Sequence, residues 1–270
     1  MARLILILGL IAATVFAWRA VKHRKRRERF EAAFPAEWEK ILRNNVPIYS
    51  RMPEELRQEL QKHINVFLGE KRFFGCAGLE ITDEIRITIA AFACMLLLKR
   101  KANYYPDCLS ILVYPSSYLS EERTQEGFVE TLSKQHRLGE SWLRGPVVLA
   151  WDSVAHGAFD IRDGHNVALH EFAHQLDAED GVMDGAPVLE ERAQYAAWAK
   201  VMRKEFKLLQ EKAERGQKSV IDFYGAESPE EFFSVVVEAF FEKSEQLSRK
   251  HPELYAQLKA FFKLDPATWS

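Results

Sequence analysis

The sequence predicts an α+β domain that is mainly helical, carries a small sheet and follows an N-terminal transmembrane helix. Three observations point to that class. Helix-period apolar patterning runs from residue 28 to about 68 and returns after residue 163; two short β-rich runs, "LSILVYPSSY" and "GPVVLAW", stand between them; an uncharged apolar run occupies the amino terminus. A chain of 270 residues with 47% hydrophobic content is long enough for a sizeable core.

The first element is "LILILGLIAATVFAW", residues 4–18, followed by a segment in which residues 19–29 include seven Lys/Arg. A cleavable signal peptide places its charge before the apolar run, and here the excess lies after it. The sequence therefore predicts a membrane anchor over 1–21, a basic juxtamembrane segment over 22–34 and a folded domain over 35–265. Basic flanks stay on the cytoplasmic side, so the expected location is the inner (cytoplasmic) membrane, single-pass, with the domain in the cytoplasm.

Within the domain, Pro47 and Pro53 break the first helical region, and "PEELRQELQKHINVFL" opens a helix with proline and acids in its first turn. "FFGCAGLEIT" reads as a short strand and turn between glycines. "TDEIRITIAAFACMLLLK" fits a core helix capped by Thr82 or Asp83. The two β-rich runs give two strands, and "GPVVLAW" is expected to offer a sheet edge to an extended peptide. The remaining helices are expected over 163–178, 189–214, 229–245 and 252–263, with "YGAESPEE" separating the middle pair.

Composition removes several function classes. The three cysteines, Cys76, Cys94 and Cys108, are odd in number and have no CxxC spacing, which excludes a disulfide framework or thiolate zinc site as the organising principle. Residues 1–29 hold eight Lys/Arg and one acid, leaving the body with 29 basic and 38 acidic residues. An acidic body without a basic stripe is not built to neutralise phosphates, so no nucleic-acid partner is expected.

The chemistry concentrates in "NVALHEFAHQLDAED". Random placement of 8 His and 29 Glu over 270 positions gives only roughly 0.03 HExxH patterns per chain. On a helix His170 and His174 share a face and can chelate one ion, with Glu171 beside it to take a proton from an attacking water. Two histidines bonded within a helix interface are the plainer alternative. Asp177, at i+7 from His170, lies about 10 Å along the axis, which suits orienting a histidine better than binding metal; the other reading is a solvated acid at the helix end. For a third ligand, "SPEEFFSVVVEAFFEK" offers Glu231 and Glu238, seven apart on one apolar face where an acid needs a partner. Pattern alone leaves these two equal, and it makes Tyr224 a turn residue.

With "NVALHEFAHQLD", "DFYGAESPEEFFSVVVEAFFE" and, more weakly, "FFGCAGLEIT" and "SILVYP", the chain resembles the Mlc titration factor A-like zinc peptidases, whose metal-binding core is similar to that of anthrax lethal factor. The resemblance spans roughly residues 35–265. It implies a zincin-like (gluzincin) metallopeptidase domain holding one Zn²⁺ through His170, His174 and Glu231, with Glu171 as general base and Tyr224 as a donor to the developing oxyanion. It further implies a peptide or protein substrate, aminopeptidase-like cleavage and a transcriptional repressor as a possible partner. The chain has Gly225 where the family usually has alanine. The competing expectation is a zinc-stabilised, membrane-tethered binding protein that sequesters a regulator without relevant catalysis.

Overall fold

Proline and acidic first turns set where the domain's first helices begin. In the computed structural model, which describes residues 2–116, 118–126, 129–137, 139–141 and 145–269, helix α1 spans Ala2–Phe30, α2 Ala36–Asn45, α3 Pro47–Arg51 and α4 Glu54–Glu70. Pro47 sits in the first turn of α3 and Pro53 immediately precedes α4, where a missing N–H breaks no helical hydrogen bond. Strand β1 covers Arg72–Gly75 and helix α5 covers Asp83–Met95. Of the two possible caps, Thr82 is the one used: its hydroxyl accepts from the Ile85 N–H at 3.3 Å.

The strands that follow are β2 (Ser110–Tyr114), β3 (Tyr118–Glu126), β4 (Val129–Arg137), β5 (Gly139–Ser141) and β6 (Val147–Ala150). The main sheet has the order β1-β2-β6-β5, with β1, β2 and β6 parallel and β5 antiparallel at the edge. "GPVVLAW" therefore does not offer an edge. Both sides of β6 are hydrogen-bonded, and all four of its residues are buried. The edge on that side belongs to β5, which packs against the helix that carries the histidines. Strands β3 and β4 form a separate antiparallel ribbon. The ribbon is silent in the sequence, because "YLSEERTQE" and "VETLSKQHR" have no apolar alternation to reveal period two.

Helix α6, Trp151–Phe159, begins directly where β6 ends. Then come α7 (Val167–Asp177), α8 (Gln194–Glu214), α9 (Pro229–Glu242), α10 (Ser244–Lys250) and α11 (Pro252–Phe262). The core is an aromatic seam around α7 and α9. Phe172 of α7 meets Phe67 and Tyr105 at ring-centroid distances of 5.7 and 5.0 Å. On the other side, Phe233 of α9 meets Trp198 at 6.0 Å and Phe240 stacks on Phe262 at 5.5 Å. Each fully buried aromatic of this kind contributes roughly 1.5–3 kcal/mol relative to exposure, so the two helices are held rigidly.

The amino terminus corrects the membrane expectation. Among the described residues, no helix is long and apolar enough to cross a membrane. Within the expected 1–21 span, Arg3 and Arg19 leave an uncharged apolar stretch of 15 residues, Leu4 to Trp18, which extends only about 22 Å at 1.5 Å per residue, short of a hydrocarbon core of about 30 Å. Met1, the first residue of the expected anchor, lies outside the described residues. The basic segment is no free linker either, because α1 runs through it and docks on α4. Arg26 donates to both carboxylate oxygens of Glu70 at 2.6 and 2.9 Å, and its guanidinium lies over the Tyr104 ring at 4.9 Å. Arg29 covers Gly69 so closely that a Cβ there would lie 2.4 Å from Nε. The structure thus contradicts the expected inner-membrane, single-pass placement.

Lys71, just past α4, is buried and donates to the carbonyls of Tyr105 and Cys108 at 2.6 and 2.5 Å. Burial pulls its ammonium down to about 8 from an ordinary 10.5. Between those two values the unfolded chain keeps a proton that the folded chain has released, so folding stability should rise as pH climbs through that window. Denaturant titrations of wild type and Lys71→Met across pH 7–10.5 test this. The mutant should be less stable overall, with two carbonyls left unpaired, and should lack the rise attributable to Lys71; identical pH slopes in the two proteins would refute it.

Candidate metal centre

Two capped helices bring the site together. Asn166 caps α7, its Oδ1 accepting from the Leu169 N–H at 3.0 Å, and this sets the rotation that puts His170 and His174 on the face toward α9. Ser228 caps α9 by accepting from the Glu231 N–H at 3.3 Å, with Pro229 next in the first turn. The α9 residue so placed, Glu231, faces the histidine pair across the crossing of the two helices.

His170 Nε2 and His174 Nε2 are 3.2 Å apart, and Glu231 Oε2 lies 3.0 Å from the first and 3.4 Å from the second. Ligand atoms from these three residues lie within 4.8 Å of one another. Such an arrangement calls for positive charge at its centre, since lone pairs on two imidazoles and a carboxylate repel at these distances. Two nitrogens and an oxygen also form a donor set that suits zinc. The residues present therefore fit a single divalent ion.

Electrostatics point the same way. Burial alone would lower the His170 imidazole, but the Glu238 charge and hydrogen bonds to Glu231 and Glu238 outweigh it and hold His170 well above the usual histidine range. Burial would likewise raise Glu231, yet hydrogen bonds from His170 and His174 hold it well below the usual carboxylate range. Glu171 is buried beside the pair. Tyr224 is half-exposed, with its ring 5.8 Å from that of His170, and burial followed by the Glu231 charge pushes its phenol up to about 12. It remains a hydrogen-bond donor at neutral pH.

Glu238, the other acid on the shared face, reaches the opposite side of the His170 ring, with Oε2 3.1 Å from Nδ1. Asp177 does not hydrogen-bond either histidine in this structure. Its Oδ2 accepts from the Gly185 N–H at 2.8 Å while its Oδ1 is buried without a hydrogen-bond partner among the described residues, and burial raises its carboxyl to about 6. Gly185 sits at φ +77°, its carbonyl accepts from Trp198 Nε1 at 3.1 Å, and a Cβ there would lie 2.4 Å from the Pro229 oxygen. Asp177 thus secures the turn against which the first turn of α9 is seated, two residues before Glu231. Sequence reasoning missed Gly185 and also Ser234, whose hydroxyl is 3.2 Å from His170 Nε2 and donates to the Glu231 carbonyl at 2.9 Å. The position of Ser234, one turn after Glu231, was the available signal.

The chain matches the family described as glucose-regulated metallo-peptidase M90 over residues 20–263. It is 40% identical over 267 residues to "Uncharacterized protein slr2042" of Synechocystis sp., covering 97% of this chain and 96% of the relative. It is 31% identical over 227 residues to Mlc titration factor A of Pectobacterium atrosepticum, covering 82% of this chain and 84% of that one. Mlc titration factor A of Yersinia pestis is 28% identical over 240 residues, 87% of each chain.

Gly185→Ala tests the seat of α9. The positive φ and the missing space for a Cβ should together destabilise the fold by roughly 1–3 kcal/mol. Displacement of the first turn of α9 should also lower zinc uptake at limiting metal. Thermal unfolding and metal analysis check both, and wild-type values in each would remove the clamp from the account.

Proposed function

The chain belongs to the glucose-regulated metallo-peptidase family M90, and on that footing we propose that it is a zinc-dependent peptidase whose machinery is His170, Glu171, His174, Tyr224 and Glu231. The observation that carries this reading is the convergence of two imidazoles and a carboxylate with a buried glutamate directly after the first histidine. A metal needed only to brace the fold gains nothing from that glutamate.

His170, His174 and Glu231 hold the ion. When bound, zinc supplies Lewis acidity, polarising a water and the substrate carbonyl. Glu171 takes a proton from the attacking water as the oxygen–carbon bond forms, then delivers it to the amine as the carbon–nitrogen bond breaks. Tyr224 donates its O–H to the oxyanion that develops on the carbonyl oxygen. The outer edge of β5, adjacent to α7, gives an extended peptide a backbone to pair with. The functional unit is the segment 35–265, on which α1 docks. As part of the same proposal, cleavage is of the aminopeptidase kind and a transcriptional repressor is a partner. The family resemblance supports the first, and the name Mlc titration factor A carried by the relatives supports the second.

Product analysis with the full chain and a set of peptides tests the reading. Glu171→Gln should keep its zinc and melting temperature while turnover falls by a factor on the order of 10² or more, as for loss of a general base. Glu231→Gln should instead lose zinc. Tyr224→Phe should bind zinc normally and slow turnover by about 10²-fold or more, the scale of a lost oxyanion donor. Release of single amino-terminal residues supports the aminopeptidase assignment, and internal fragments contradict it. Undiminished hydrolysis by Glu171→Gln overturns the mechanism. A zinc-loaded wild type that cleaves nothing yet binds a protein partner replaces it with sequestration.

A further inference from the structure

Glu238 is buried on α9, two turns beyond Glu231 in a run rich in phenylalanine and valine. A carboxylate in such a place is costly unless both oxygens are satisfied. They are. Oε1 accepts from the Asn166 backbone N–H at 2.6 Å, and Oε2 lies 3.1 Å from His170 Nδ1.

We propose that Glu238 is a positioning residue that fixes the tautomer of His170, and that Asn166 holds it in that role. The assignment follows from donor and acceptor rules. A backbone N–H can only donate, so Oε1 must accept. A carboxylate is acceptor-only, so the 3.1 Å contact with Oε2 is made by a proton on Nδ1. In a neutral ring that leaves the lone pair on Nε2, the atom facing His174 and Glu231. That neutral form is the one metal binding needs, on the metal reading proposed above.

Asn166 is itself immobilised. Its side chain accepts from Leu169 N–H and donates to the Gly157 carbonyl at 3.2 Å and to Glu242 Oε1 at 3.0 Å, while its carbonyl accepts from His170 N–H at 2.9 Å. Its backbone N–H therefore points at Glu238 from a fixed place on the first turn of α7. His174 has no such support, since its Nδ1 is buried with no hydrogen-bond partner among the described residues. The two histidines are unequal: α9 orients one and packing orients the other.

Glu238→Gln separates this role from simple packing, because glutamine fills the same space. Its amide oxygen is needed by the Asn166 N–H, which turns the NH₂ toward Nδ1. Two donors then face each other unless the histidine proton moves to Nε2, where it blocks the metal. Zinc affinity of the full chain, measured by chelator competition, should fall about 10–100-fold, the range for loss of such a partner, with the metal-free melting temperature little changed. Glu242→Gln is the control, since its amide oxygen still accepts from Asn166 Nδ2 and affinity should stay at the wild-type value. In zinc-loaded protein with ¹⁵N-labelled histidine, the His170 Nδ1–H should be shifted downfield by its carboxylate acceptor, and Glu238→Gln should lose that shift. Wild-type zinc affinity in Glu238→Gln, or equal losses in both variants, overturns the positioning role while leaving the peptidase reading intact. A wild type that takes up no zinc overturns that reading and this inference together.

Discussion

Two imidazole nitrogens held 3.2 Å apart, with a carboxylate oxygen 3.0 Å from one of them, form a cluster whose parts repel unless a positive charge sits among them. The surrounding structure reads as the means of enforcing that proximity. The histidines come from one helix and the glutamate from another, so the crossing of α7 and α9 must be fixed in rotation, depth and register. The caps at Asn166 and Ser228 fix rotation. The Asp177–Gly185 turn, pressed against the Pro229 carbonyl, fixes depth.

Register depends on packing. Phe172 anchors α7 toward α4 and the Tyr105 loop, while Phe233 and Phe240 anchor α9 toward α8 and α11. Replacing a buried aromatic of this kind with alanine typically costs about 3–5 kcal/mol, so sliding one helix past the other would sacrifice several such contacts at once. A rigid frame of this sort suits electrostatic preorganisation, where groups are held for charge that develops during reaction and need not rearrange to meet it.

Much of this was legible in the sequence, for identifiable reasons. Helical spacing turns the distance between His170 and His174 into a shared face, and Pro47, Pro53, Thr82 and Pro229 mark helix starts through local chemistry. The choice between Glu231 and Glu238 was not legible from pattern, because residues seven apart share a face and only tertiary depth separates them. The role of Asp177 was hidden for a similar reason, since its partner is eight residues on in an irregular turn. The sheet edge was misplaced because β6 is flanked by β5, a strand of three residues with no apolar pattern. At the amino terminus, hydropathy marked an apolar run but could not report that the basic half of the same helix docks on α4 through Arg26 and Glu70.

All of this architecture has its purpose if His170, His174 and Glu231 together hold a single zinc ion. Anomalous diffraction at the zinc edge, from crystals of the full chain grown with stoichiometric zinc, tests it most directly. One strong peak should lie within bonding distance of both Nε2 atoms and the Glu231 carboxylate, with Glu238 against the far side of the His170 ring. A peak bonded to Glu238 or Asp177 in place of Glu231, or no peak between the histidines, would contradict it.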